Sequence, residues 1–337
     1  MVNSELLIRS VRPWPSTADT PPLDVHCRDG EILAMAPNLT CPPGAEQVDG
    51  RGGVLLPAFT DAHARLDSVE DLRAAVSAGA TLIRWHVPLD RVRAALSARD
   101  EVSGLAEVQV VASPVNGVLR EEDGLDRLDA ALAAGADVVG GVNPAGVDRD
   151  PVRHLDIVFG LAEKYQRGVD LVLTDPGELG LFELELVCER TAALGLGGRV
   201  AVSRCTALST VDEVPRGRLL DQLAENEVGV IGVDESLPLR ELRQAGVRVG
   251  LGGGADLLER AWRLADRVGY TTDNLVEMCV DAASRGGAAV LGERDPGRGL
   301  VEGDRADLVV LPSSTVVAAA TERPVRTLVV HRGRVVA

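Results

Sequence analysis

Several features that would fix a protein's class at once are missing from this chain. No apolar run approaches the roughly 18–20 residues that cross a bilayer, which excludes a membrane-embedded protein. The opening stretch MVNSELLIRSVRPW carries charges on both sides of a short apolar patch and no small-residue cleavage site. It does not read as a signal peptide, and the expected compartment is the cytoplasm. The five cysteines (Cys27, Cys41, Cys188, Cys205 and Cys279) are scattered, odd in number and free of any C-x-x-C pair. That excludes a disulfide framework and a thiolate zinc knuckle, leaving reduced thiols. Lysine is nearly absent, Lys164 being the only one, and the formal charge is −16. Nucleic-acid binding draws on clustered cations that displace counterions, so DNA and RNA are excluded as partners.

What is present is a repeating α/β pattern. The 337 residues, 45% hydrophobic and 26% charged, suffice for one (β/α)₈ barrel of roughly 250 residues with something to spare. Eight short apolar runs rich in β-branched residues recur between about Val54 and Gly254: VLLPAF (54–59), TLIRWHV (81–87), VQVVAS (108–113), ADVVGGV (136–142), VDLVLT (169–174), RVAVS (199–203), VGVIGV (228–233) and VRVGLG (247–252). Such runs suit strands buried on both faces. Between them, SVEDLRAAVSAGA (68–80), DGLDRLDAALAAGA (123–136) and SLPLRELRQAGV (236–247) carry apolar residues at helical spacing and end near glycine. Eight strand–helix units predict a closed TIM-type barrel over residues 54–306. An open doubly wound sheet is disfavoured because no G-x-G-x-x-G follows the first run. Residues 1–53 and 307–337 differ in texture, with short strands and hairpin-like turns in RDGEILAMA and HRGRVVA. They are expected to pair into one small β-sandwich-like domain.

The phrase LLPAFTDAHARLD (55–67) resembles the amidohydrolase signature, in which a strand ends in proline, an aromatic, an acidic residue and H-x-H-L-D. More specifically, LIRWHV (82–87), VQVVASPVNGVL (108–119), DVVGGVNP (137–144), FGLAEKYQRGVDL (159–171), GRVAVSRCTAL (198–208) and ADLVVLP (306–312) resemble the cytosine deaminases, block by block over nearly the whole chain. The resemblance implies a barrel with one divalent metal, held by two histidines on strand 1, one each on strands 5 and 6, and an aspartate on strand 8. Only His63 matches that set; the other positions carry Arg65, Val172, Arg204 and Gly254, and the family's proton-shuttling glutamate becomes Asp175. A guanidinium stays protonated and cannot ligate, so the pattern implies a degenerate site, with no metal and no cofactor. The connections after strands 1 and 7 are also shorter than the family's, implying a differently shaped pocket.

The candidates for chemistry follow from these positions. Arg65, Arg84 and Arg204 fall near strand ends, where barrel enzymes place ligand-handling groups, and guanidinium forks bind carboxylate or phosphate. The alternative is internal neutralisation by Asp61, Asp67 or Asp175. His63 and His86 are candidate acid–base groups with Asp175 as a second, or relics held by hydrogen bonds. Cys205 follows Arg204 and is expected to point toward the helices as an apolar thiol. The run Gly252-Gly253-Gly254 is either a phosphate cradle or the scar of a lost side chain, with Gly254 a candidate ligand contact. The leading expectation is a metal-independent enzyme using acid–base groups and arginine electrostatics on a small anionic, nitrogen-containing molecule. A non-catalytic relative that binds a ligand or protein partner is the second reading. A metal-dependent C–N hydrolase or deaminase with a site rebuilt from His63, His86 and Asp175 is the third. The sequence is compatible with a homo-oligomer.

Overall fold

The computed structural model describes residues 5–293 and 299–337. Its first four strands, β1 (Glu5–Pro13), β2 (Leu23–Arg28), β3 (Glu31–Ala36) and β4 (Glu46–Pro57), precede the barrel. The barrel strands are β5 (Phe59–Ala64), β6 (Ala80–Pro88), β7 (Glu107–Ser113), β8 (Val138–Val142), β9 (Gly168–Val172), β10 (Val200–Ser203), β11 (Gly229–Gly232) and β12 (Val249–Leu251). Three more, β13 (Leu308–Leu311), β14 (Leu328–His331) and β15 (Arg334–Val335), return to the first group.

The eight barrel strands pair in chain order, and helices fill the connections as a (β/α)₈ barrel requires. The terminal strands make one seven-stranded sheet in the order β15-β14-β13-β4-β1-β2-β3, parallel between β1 and β4 and antiparallel elsewhere. The two termini thus share one small β-unit, as expected, built as a single mixed sheet. A correction concerns the run 54–59: residues through Pro57 belong to β4, and the first barrel strand begins at Phe59. The reason is pairing, because Val54 to Pro57 face β13 in antiparallel register. Both expected hairpins form, with Asp29–Gly30 at φ 54° and 89° and Arg332–Gly333 at φ 47° and 71°, the positive values that a tight type I′ connection requires.

Hydrophobic burial divides into three clusters. A large one lies between barrel and helices, and a second under the terminal sheet contains Leu6, Ile8, Val25, Leu55 and Val310. The third fills the barrel's interior floor, where Val290 and Leu291 from the helix Arg285–Val290 and its end meet Leu82, Ala201 and Ile231. This floor closes the interior from below, and the C-terminal ends of the strands open onto two cavities. No helix among the described residues is long and apolar enough to cross a membrane.

The terminal sheet is tied to the barrel by charge. Arg305 bridges Glu107 at the start of β7, Glu293 and the fully buried Asp307, which also accepts from His331 Nδ1 at 2.7 Å. Removing a buried carboxylate strands its partners, at a cost of about 3–5 kcal/mol. Asp307→Ala should therefore lower the urea midpoint of the whole chain markedly, while Glu293→Ala, at the partly exposed rim of the network, should lower it little. Equal midpoints for Asp307→Ala and wild type would show that the network does not hold the two units together.

Candidate functional site

The mouth of the barrel is built first by its closing seam. β12 returns beside β5, and the Gly253 N–H donates to Asp61 Oδ1 at 3.0 Å while His63 N–H donates to the same oxygen at 3.1 Å. The approach is so close that a Cβ on Gly252 would lie 2.4 Å from His63 N. Only glycine fits there, and the Gly253 N–H is already engaged, so the glycine run serves closure instead of cradling phosphate. Gly254 does line the opening, with room around its Cα.

Two adjoining cavities occupy the mouth. The larger, about 430 Å³, is lined by Asp61, His63, Arg65, Arg204, Gly254 and Arg260 among others. The smaller, about 220 Å³, shares Arg65, Leu66 and Asp67 with it and adds His86, Pro88, Ser113, Val115, Val142 and Val172. Their common wall is held by a capping box: Ser68 Oγ accepts from Asp71 N–H, and Asp71 Oδ2 accepts from Ser68 and Asp67 N–H. Asp67 is further fixed by Arg91 at 2.7 Å.

Arg65 and Arg204 face this space without acidic partners. Among the described residues neither has a carboxylate within ion-pairing distance, and Arg204 Nε is buried without a hydrogen bond. Burial, and then Arg204, lower the proton affinity of Arg65. Arg204 also sits in the left-handed backbone region, φ 56°, a conformation that costs a bulky residue of order 1 kcal/mol or more and clusters at functional sites. Arg260 differs, donating to Gly253 O at 2.7 Å and approaching Glu235 at 3.4 Å.

His63 and His86 are brought together, rings stacked with centroids 3.8 Å apart and planes inclined by 34°. Neither nitrogen of the buried His63 has a partner. Burial, then His86, Arg65, Arg204 and Arg84, hold its pKa well below the usual imidazole value, so it is a neutral base at physiological pH. Asp61 lines the same cavity, and burial pushes its carboxyl up to about 6 against the pull of the Gly253 and His63 amides and Arg260. Sequence reasoning had weighed Asp61 only as a neutraliser.

Two expectations are corrected by position. Arg84 does not flank the mouth: β6 continues to Pro88, which leaves Arg84 mid-strand, donating to Asp170 Oδ2 at 3.0 Å and to Gln109. Asp175 turns from the cavities and accepts from Gly146 N–H at 3.0 Å; burial of Glu183, and then the nearby Asp175, push the Glu183 carboxyl up to about 7. Cys205 packs half-buried against the main core, where desolvation raises its thiol pKa.

Asp170 is the residue that sequence reading missed. It stands on β9 two positions below Val172, fully buried, and lies with its carboxylate beside both histidines, the ligand atoms of His63, His86 and Asp170 all falling within 4.8 Å of one another. The residue types suit a metal, and these three side chains form a group that could hold one, with the two imidazole rings facing each other at 3.8 Å and tilted by 34°. Arg84 already occupies the second carboxylate oxygen. At the positions implied by family resemblance, Arg65, Val172, Arg204 and Gly254 offer no ligand atom suited to a dication.

Comparison with known proteins gives a consistent picture. A sequence profile of the amidohydrolase family matches residues 66–337. N-isopropylammelide isopropyl amidohydrolase from Pseudomonas sp. (strain ADP) is 23% identical, with 86% of this chain and 88% of that protein covered. The crystal structure of N-isopropylammelide isopropylaminohydrolase from Burkholderia multivorans superimposes with a TM-score of 0.92 at 32% identity, covering 98% of each chain. That of 5-methylcytosine deaminase from Klebsiella pneumoniae, liganded with 5-fluorocytosine, gives 0.84 at 21% identity, covering 98% of this chain and 97% of the other.

Two outcomes are expected of the purified protein. Elemental analysis should find far less than one zinc or iron per chain, and a chelator should leave the melting temperature unchanged; one tightly held metal per chain would overturn this and point to His63, His86 and Asp170 as its ligands. The second concerns Asp61, whose folded pKa is raised from 3.8 to about 6. A raised carboxyl costs nothing below the unfolded value and destabilises progressively as pH climbs past it, reaching its full cost above pH 6. Asp61→Asn should thus gain stability over wild type between pH 4 and pH 7, by on the order of 2–3 kcal/mol. A gain independent of pH would locate the effect elsewhere.

Proposed function

Starting from a chain that belongs to the amidohydrolase family, we propose a metal-independent enzyme that acts on a small anionic, nitrogen-containing molecule held at the barrel mouth. The observation that carries this reading is the pair Arg65 and Arg204, two guanidinium groups lining one cavity with no acidic partner among the described residues. Leaving two like charges partly desolvated is unfavourable unless an anion completes the arrangement. They stand where the resemblance puts two metal-binding imidazoles, so a cation that polarises substrate is replaced by fixed cations that bind and stabilise negative charge.

The neutral His63 supports acid–base chemistry beside that anion. In hydrolysis of a C–N bond, water oxygen bonds to the substrate carbon while its proton passes to the imidazole. The same proton then moves to the departing nitrogen as the C–N bond breaks, regenerating neutral His63. His86 backs His63 by stacking, and Asp170, oriented by Arg84, lies 3.4 Å from His86 Nε2. Asp61 is the cavity's second proton carrier, a role that the sequence had suggested for Asp175. The unfit metal positions support a second reading, a non-catalytic relative that binds the same class of anion. Substitution of His63 separates them: His63→Gln should abolish turnover in the first and leave binding intact in both.

Thermal-shift screening of small carboxylates and phosphates tests the common element. A charge-assisted bidentate contact contributes on the order of 1.5–3 kcal/mol, so Arg204→Ala and Arg65→Ala should each weaken the best anion roughly ten- to a hundredfold. Arg204→Gly should lose binding equally while melting no lower than wild type, because glycine relieves the left-handed backbone. Unchanged anion affinity in the alanine variants would reduce both arginines to structural residues. Cytosine should yield no ammonia above background, since metal-activated hydroxide is what its deamination requires.

A further inference from the structure

The smaller cavity has a composition that the anion clamp does not use. We propose that it is a subsite for a compact apolar group, so that the ligand is a small carboxylate whose charged head lies between Arg65 and Arg204 and whose tail runs past Arg65 toward Val172. This deepens the reading above and rests on it.

Continuity carries the first step. Arg65, Leu66 and Asp67 line both cavities, so a group anchored at Arg65 from one side has its other end at the opening of the second. Chemistry carries the next. Beyond that shared wall the second cavity is faced by Pro88, Val115, Val142 and Val172, with His86 and Ser113 at 3.4 Å from each other and the polar Asp67–Arg91 pair as its partners in lining. Val142 and Val172 are neighbours in register on β8 and β9, and Val172 is nearly buried. A branched apolar side chain therefore stands where the resemblance implies an imidazole, and it faces empty space of about 220 Å³. Such a wall gains by covering with hydrocarbon and loses by covering with charge.

The charge balance selects the head group. Asp67 is taken by Arg91, Asp71 by the helix cap, and Arg260 by Gly253 O and Glu235. Arg65 and Arg204 are left as the cations open to a ligand, with the carboxylates of Asp61 and Asp71 in the same cavity, a balance that a monoanion matches better than a phosphate dianion.

Calorimetric titration of the intact protein with acetate, butyrate, benzoate and inorganic phosphate tests this. Each buried methylene contributes roughly a three- to fourfold gain, so butyrate should bind roughly tenfold tighter than acetate, benzoate should exceed acetate, and phosphate should bind more weakly than butyrate. Val172→Phe, which fills the second cavity, should return butyrate to the affinity of acetate while acetate stays within about twofold. Val142→Phe serves the same purpose if Val172→Phe does not fold. Equal binding of acetate and butyrate, both lost in Arg204→Ala, would overturn the subsite and leave the clamp standing. Retention of the butyrate preference in the filled variants would also overturn it. Failure of every anion to bind would bring down clamp and subsite together.

Discussion

The closing seam between β5 and the chain after β12 is the constraint on which the mouth depends. A barrel must bring its last strand back to its first, and here the two come so near that Gly252 tolerates no side chain while Asp61 holds both edges through one oxygen. The position implied for the carboxylate ligand of strand 8, Gly254, follows directly on Gly252 and Gly253 and lines the opening with no side chain of its own. The chain just beyond β5 and β10 carries Arg65 and Arg204 to the opening.

Replacing imidazoles by guanidinium groups keeps the sign of the field that a substrate meets and changes how it is delivered. A metal ion concentrates two charges at one point and activates water; two guanidinium forks spread the same charge over planar donors and activate nothing themselves. In the proposed metal-independent reading, proton transfer falls to side chains. His63 is suited because burial, and then the cations around it, keep it neutral, and the backbone strain at Arg204 is the local sacrifice that sets one fork in place.

The fold was largely legible because β-branched runs and glycine-ended helical segments report burial and chain reversal directly. The run at 54–59 was harder, since an apolar stretch buried against β13 reads the same as one buried in a barrel. The site was legible only in part. Alternation places Arg84 and His86 on one face, but depth along a strand is set by where β6 ends, and Pro88 lies farther on than the local pattern suggests. Asp170 left a readable signal, a lone carboxylate inside an apolar run, which only a buried cation opposite could justify. That cation, Arg84, is 86 residues away in sequence. Asp175 failed for the opposite reason: its strand ends at Val172, and beyond that point alternation no longer fixes direction.

The shared terminal sheet has a consequence for the order in which the chain can fold. β4 pairs with β1 on one edge and with β13 on the other, and Leu55 meets Val310 across the whole length of the barrel. Contacts so distant in sequence form slowly, because the loop between them must first be closed. During synthesis β4 can dock on β1 at once, yet its other edge stays unpaired until the barrel has been made and β13 emerges. That open edge, with Val54, Leu55 and Leu56 in it, is the stretch through which a nascent chain would find another copy of itself, so rapid completion of the barrel is what protects this protein from aggregation.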